Sequence, residues 1–138
     1  MAEGLFTKLV NDTGSSFKIS SAGVSTFGGQ TPSKHTLDIL KKEGIDLTAN
    51  TSQMVSHELI NQASYVFAMS SSHLHAIESM FPKALKKTFL VTEFCDNQSV
   101  HGTDVPDPYG GTIKEYEHTK DLLDVSLPSI LKFLETQN

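Results

Sequence analysis

Residues 63–82 read ASYVFAMSSSHLHAIESMFP, and this stretch decides the fold. Ser64–Ser70 is an unbroken apolar run of strand length, as expected for a strand covered on both faces. The serines that follow lead into SSHLHAIESM, a helical segment that Pro82 ends. A strand passing directly into a helix is half of a strand–helix–strand unit. KKTFLVTEF (86–94) is the strand expected to complete it.

The same alternation extends outward. MAEGLFTKLV (1–10) places Ala2, Leu5, Phe6, Leu9 and Val10 at helical spacing, with no capping residue before it. FKISSAGVSTF (17–27) reads as a strand entering the glycine-rich loop GGQTPS. PSKHTLDILKKEG (32–44) has a Pro-Ser start, late lysines and Gly44 as its stop. SHELINQA is a short helix with Ser56 as cap. Thr112–Glu135 is a long helical segment in which Pro128 forces a kink or a break. Strands alternating with helices imply a parallel sheet with helices on both faces, and a ligand site at the carboxyl ends of the strands. The first helix has no strand before it.

Composition sets limits on function. The 138 residues fit one domain, 1–138, and carry a net charge of -5. That charge gives no general electrostatic case for a nucleic acid or an anionic membrane as partner. Every cationic residue is lysine, and arginine, which grips phosphate with a bidentate fork, is absent. The single cysteine, Cys95, excludes an internal disulfide and points to a reducing compartment, so a cytoplasmic location is expected. No apolar run spans a membrane and no secretion signal is evident, so the three N-x-S/T triplets read as chance matches.

The histidines suggest no metal site. His73 and His75 are two apart and point to different sides of a helix, while His101 and His118 have no partner at ligand spacing. Asp104 reads as a turn residue or a solvated charge. DVPDPYGG (104–111) is too stiff for a helix and too polar for a buried strand. It holds the carboxylate of Asp107 beside the ring of Tyr109, whose Pro-Gly-Gly setting leaves it few core contacts.

MAEGLF, SSAGVS, TPSKHTLDILKKEGIDL, ASYVFAMSSSH and DVPDPYGG occur in the order and spacing of the low-molecular-weight protein tyrosine phosphatases. The chain resembles that family throughout, most closely the bacterial branch that includes protein-arginine phosphatases. The resemblance implies a flavodoxin-like three-layer sandwich. It also implies hydrolysis of a phosphorylated protein or small phosphate ester through a phosphocysteine intermediate, with no cofactor and no metal. Asp107 would be the general acid and base. Tyr109 and Phe27 would wall the substrate pocket, and Ser21 would brace the phosphate loop. Asn50 and Gln53 stand where bacterial relatives often have a histidine and an arginine, which implies an altered supporting network.

The family's nucleophile lies in a loop C-x-x-x-x-x-R-S that precedes the position of MAEGLF. Cys95 sits in no such loop and reads as structural. The resemblance therefore implies that the central first strand, the nucleophile and the arginine are missing from this chain, which would leave it inactive. The DNA upstream of the Met1 codon would separate a truncated enzyme from a catalytically dead remnant or binding module. Phosphotyrosine and phosphoarginine both remain open as substrates. Without its central strand the sheet is expected to be open to strand exchange or aggregation.

Overall fold

The computed structural model describes residues 1–25 and 28–137, so the expectation for Phe27 falls outside the described residues. Helix α1 (Ala2–Asp12) is followed by α2 (Lys34–Lys42) and α3 (His57–Gln62). Strand β1 (Val66–Ala68) leads into α4 (Ser71–Met80), a 3₁₀ helix (Pro82–Lys87), β2 (Thr88–Leu90) and α5 (Ile113–Thr136). Four helices begin where a hydroxyl can accept one of the N–H groups that the first turn leaves unbonded. Ser33, Ser56, Ser70 and Thr112 accept from Thr36, Leu59, His73 and Glu115 respectively. Gly44, at φ +76, takes the left-handed conformation that stops α2.

Residues 63–82 fold as their pattern predicts. β1 and β2 are parallel, with Val66 opposite Thr88, Phe67 opposite Phe89 and Ala68 opposite Leu90. The two-residue side-chain period of β1 makes three layers. Tyr65, Phe67 and Met69 pack against a core of Leu5, Phe6 and Val10 from α1 with Leu123, Leu127 and Ile130 from α5. Val66 turns the other way, onto Val55, Ile60, Ile77, Phe81 and Ala84. Each fully buried side chain in these clusters contributes about 1.5–3 kcal/mol of burial free energy. Beyond β2, Phe94 stacks on Phe133 at 4.0 Å between ring centroids, tying the chain after the strand to the end of α5.

Three expectations are corrected. The segment starting at Phe17 forms no strand among the described residues. Ser15–Ser20 alternates half-buried and exposed positions as a strand would, and Phe17 and Ile19 reach the first core, yet no ladder neighbour pairs with it. An extended segment without a neighbour is not sheet. Only Gly23 bridges in parallel to Met54, with Gly23 N–H on the Gln53 carbonyl and Val55 N–H on that of Gly23, both at 2.9 Å. KKTFLVTEF is strand only at its centre, because Lys86 and Lys87 close the 3₁₀ helix and Val91–Phe94 turn away. Lys87 Nζ donates to the carbonyls of Ile60 and Ala63 at 2.7 and 2.6 Å, which fixes it at the end of α3 rather than in the sheet.

Of the kink or break expected at Pro128, the break is overturned: α5 runs on through it for 24 residues. The proline removes the donor that would bond the Asp124 carbonyl, but both residues are exposed, so water can take that carbonyl. Ser129 Oγ donates to the Ser126 carbonyl at 2.5 Å on the next turn. No helix among the described residues is long and apolar enough to cross a membrane.

Candidate active site

The chain leaving β2 returns over the carboxyl end of β1. Val91 N–H donates to the Ala68 carbonyl at 2.9 Å, and Val105 N–H to the Met69 carbonyl at 2.7 Å. Four consecutive residues after the turn are then tied down. The Thr103 carbonyl accepts from the buried Thr92 hydroxyl at 2.6 Å. Asp104 accepts from the Ser71 N–H at 2.8 Å through Oδ1 and from the Ser71 hydroxyl at 3.3 Å through Oδ2. Val105 is buried, and the Pro106 carbonyl accepts from the Thr119 hydroxyl of α5 at 3.2 Å. Asp104 is exposed, as expected of a solvated charge, and its carboxylate also accepts two hydrogen bonds from the start of α4, which its sequence setting did not suggest.

Beyond Pro106, among the described residues, the tip bonds only within itself until Thr112 caps α5. Asp107 is exposed, and its Oδ1 accepts from the Tyr109 N–H at 3.0 Å. Gly111 N–H donates to the Pro108 carbonyl at 2.8 Å, closing a turn in which Gly110 has φ +80. Tyr109 is 84% exposed, so its ring does not serve the core. The bonds that tie this loop to other elements come from residues 103–106, while the DPYGG tip carries only its own turn.

Asp107 borders a cavity of about 660 Å³ together with Ser72, His73, Thr103, His118 and Leu122. His73 and His118 thus face one space from α4 and α5, a pairing across 45 positions that spacing rules do not reveal. His75 instead lies 3.5 Å from Glu78, and His101 Nδ1 contacts the Cys95 carbonyl at 3.2 Å. Among the described residues no three His, Cys, Asp or Glu side chains are placed to hold a metal.

Ser21 belongs to a second group, at the start of α1, whose members do not border that cavity. Its hydroxyl donates to Glu3 at 3.4 Å, and its carbonyl accepts from Gln53 Nε2 at 2.8 Å. Asn50 Nδ2 donates to the other Glu3 oxygen at 2.7 Å. Asn50 and Gln53 therefore build a network of their own around the α1 terminus. Glu3, which sequence reasoning passed over, is its centre. Cys95 is buried, with Sγ 3.9 Å from the Val125 carbonyl.

A parallel α/β sheet with a tethered D-P-aromatic loop at its carboxyl end defines a class, and comparison with known proteins gives the same answer. The chain belongs to the low molecular weight phosphotyrosine protein phosphatase family, which it matches over residues 1–138. It is similar to a protein-arginine-phosphatase of Geobacillus stearothermophilus, with 35% identity over 87% of this chain and 78% of that protein. It is likewise 35% identical to a protein-arginine-phosphatase of Bacillus subtilis, over 98% of this chain and 87% of the relative. The solved arginine phosphatase from Geobacillus stearothermophilus superposes with a TM-score of 0.85 at 32% identity, covering 99% of this chain and 84% of that one. The fold is accordingly flavodoxin-like α/β with a parallel sheet.

Proposed function

We propose that this domain is the acid-bearing part of a hydrolase acting on phosphorylated protein side chains or small phosphate esters. The observation that carries this reading is the loop 103–111, pinned at its base to β1, α4 and α5 and exposing Asp107 and Tyr109 at its tip. Asp107 gives its proton to the leaving oxygen as a cysteine thiolate takes the phosphoryl group. The carboxylate then accepts a proton from the water that hydrolyses the phosphocysteine. Tyr109 supplies an aromatic wall. Phe27 is proposed as a further aromatic wall and Ser21 as the brace of the phosphate loop.

The nucleophile and the cation must come from a cysteine–arginine segment that these 138 residues do not contain, since they include no arginine and their single cysteine is buried. The 138-residue chain alone therefore does not turn over para-nitrophenyl phosphate. Turnover that disappears in Cys95→Ser would refute this. In a chain extended by an apolar strand and C-x-x-x-x-x-R-S, Asp107→Asn lowers the rate by roughly 100-fold for poor leaving groups. The loss is small for leaving groups acidic enough to depart unprotonated, and equal losses for both would remove Asp107 from the role of acid.

A second reading, phosphoarginine as substrate, is supported by the names of the two relatives at 35% identity. Peptides bearing phosphoarginine or phosphotyrosine, offered to the same extended chain, separate the two. The reading places the protein in the cytoplasm, and recovery of a tagged chain from an extracytoplasmic fraction would contradict that. β1 pairs with a strand on one side only among the described residues, which supports strand exchange as a mode of association. Light scattering that reports a monomer at every concentration would contradict it.

A further inference from the structure

We propose that Asp104 is the positioning residue of the acid loop. Its carboxylate clamps the loop to the first turn of α4 and so sets where Asp107 stands. Calling this positioning of an acid rests on the reading above. The clamp itself does not, and it is tested without any turnover.

The argument starts from what α4 lacks. Its first turn has no acidic residue, and its opening N–H groups need acceptors. Ser70 satisfies one, accepting from the His73 N–H at 3.3 Å. The Ser71 N–H, at the first helical position, is satisfied from 33 residues away by Asp104 Oδ1 at 2.8 Å, with the Ser71 hydroxyl on Oδ2 at 3.3 Å. The carboxylate supplies in space the negative charge that the helix start lacks in sequence. On the loop side, Asp104 lies between the two residues whose backbone is already bonded, Thr103 to Thr92 and Val105 to Met69. Asp107 follows three residues later; in that interval the Val105 N–H bonds Met69 and the Pro106 carbonyl accepts from Thr119, while Asp107 itself bonds only within the loop among the described residues. Among the tethers of the stem, Asp104 provides the only charged one.

The clamp can be broken from either end. Asp104→Ala removes the acceptor. Ser71→Pro removes the donor, at a helix position where proline is favoured and after a residue, Ser70, already extended at φ -144 and ψ 164, as a following proline requires. Amide hydrogen exchange in the 138-residue chain reads the result. Exchange at Val105 is expected to rise about tenfold in both variants, with core amides of α5 unchanged. The Tyr109 N–H bond to Asp107 lies wholly within the tip and should survive, so the Tyr109 amide shift should stay as it is. The double variant should exchange no faster than either single one, because both cut the same bond. Asp104→Asn, which keeps one acceptor, should restore most of the protection, whereas a merely space-filling role would be met as well by Asp104→Leu. Unchanged Val105 protection in Ser71→Pro, with α4 intact by circular dichroism, would overturn the proposal, as would additive effects in the double variant.

Discussion

Replacing Pro128 by alanine should stabilise the protein. Proline inside a helix costs about 3 kcal/mol relative to alanine, from the lost hydrogen bond and the clash with the preceding turn. The cost here is expected to be below that figure, because the carbonyl deprived of its donor, that of Asp124, belongs to an exposed residue that water can approach. Alanine also loosens the unfolded chain, which returns about 0.4–1 kcal/mol. The net expectation is a gain of about 1–2 kcal/mol. With a guanidinium slope of about 4 kcal/mol/M for a domain of this size, the midpoint moves up by about 0.25–0.5 M. Guanidinium unfolding followed by far-ultraviolet circular dichroism measures both midpoint and slope. A fall in midpoint would refute the reasoning. It would mean that Ile130, Leu131 and Leu134, buried beyond the proline, reach the core only because Pro128 redirects the last turns of α5.

Thr92→Val keeps the shape of a fully buried side chain and deletes its bond to the Thr103 carbonyl, so thermal unfolding should show a loss of about 1 kcal/mol, and an unchanged melt would show that this tether does not hold. Gly111→Ala should destabilise by about 1–3 kcal/mol, since a Cβ there would meet the Glu115 carboxylate and the Pro108 carbonyl, and equal stability would mean that the tip shifts freely. Lys120, held by Asp124 at 2.6 Å and Glu43 at 3.1 Å, has its pKa raised, first by the Asp124 bond and then, against the opposing effect of burial, by Glu43. A raised folded pKa contributes stability that is complete below the unfolded value of about 10.4 and is lost as pH rises through the folded one. The stability difference between the wild type and Lys120→Met, about 1 kcal/mol at most, should therefore be flat from neutral pH to about 10 and shrink above it, and a difference that shrinks toward pH 7 would contradict the assignment.

Much of this architecture is local, and what is local was legible. Ser33, Ser56 and Gly44 mark helix ends through contacts within three or four residues, and residues 63–82 announce their strand and helix by composition alone. The strand expected from Phe17 failed because a strand is a property of two segments, and no period within one of them reveals whether the other is there. The site divides the same way. DPYGG is visible as a stiff carboxylate mount, but Asp104 reaches Ser71 over 33 residues and Asn50 reaches Glu3 over 47, and contacts that long leave no spacing to read. His73 and His118 looked unrelated for the same reason, being brought to one cavity only by the packing of α4 and α5 around the loop.

The bond from the Tyr109 N–H to Asp107 Oδ1 has a mechanical consequence. Acid and ring are joined to each other across one residue, while the bonded stem ends at Pro106. Any swing of the tip about that boundary carries both together, like two tools on one handle. A planar group that settles against the tyrosine does not move away from the proton donor when the tip swings. It brings the donor along, and the distance between them is set by one ten-membered hydrogen-bonded ring instead of by the breathing of the whole domain.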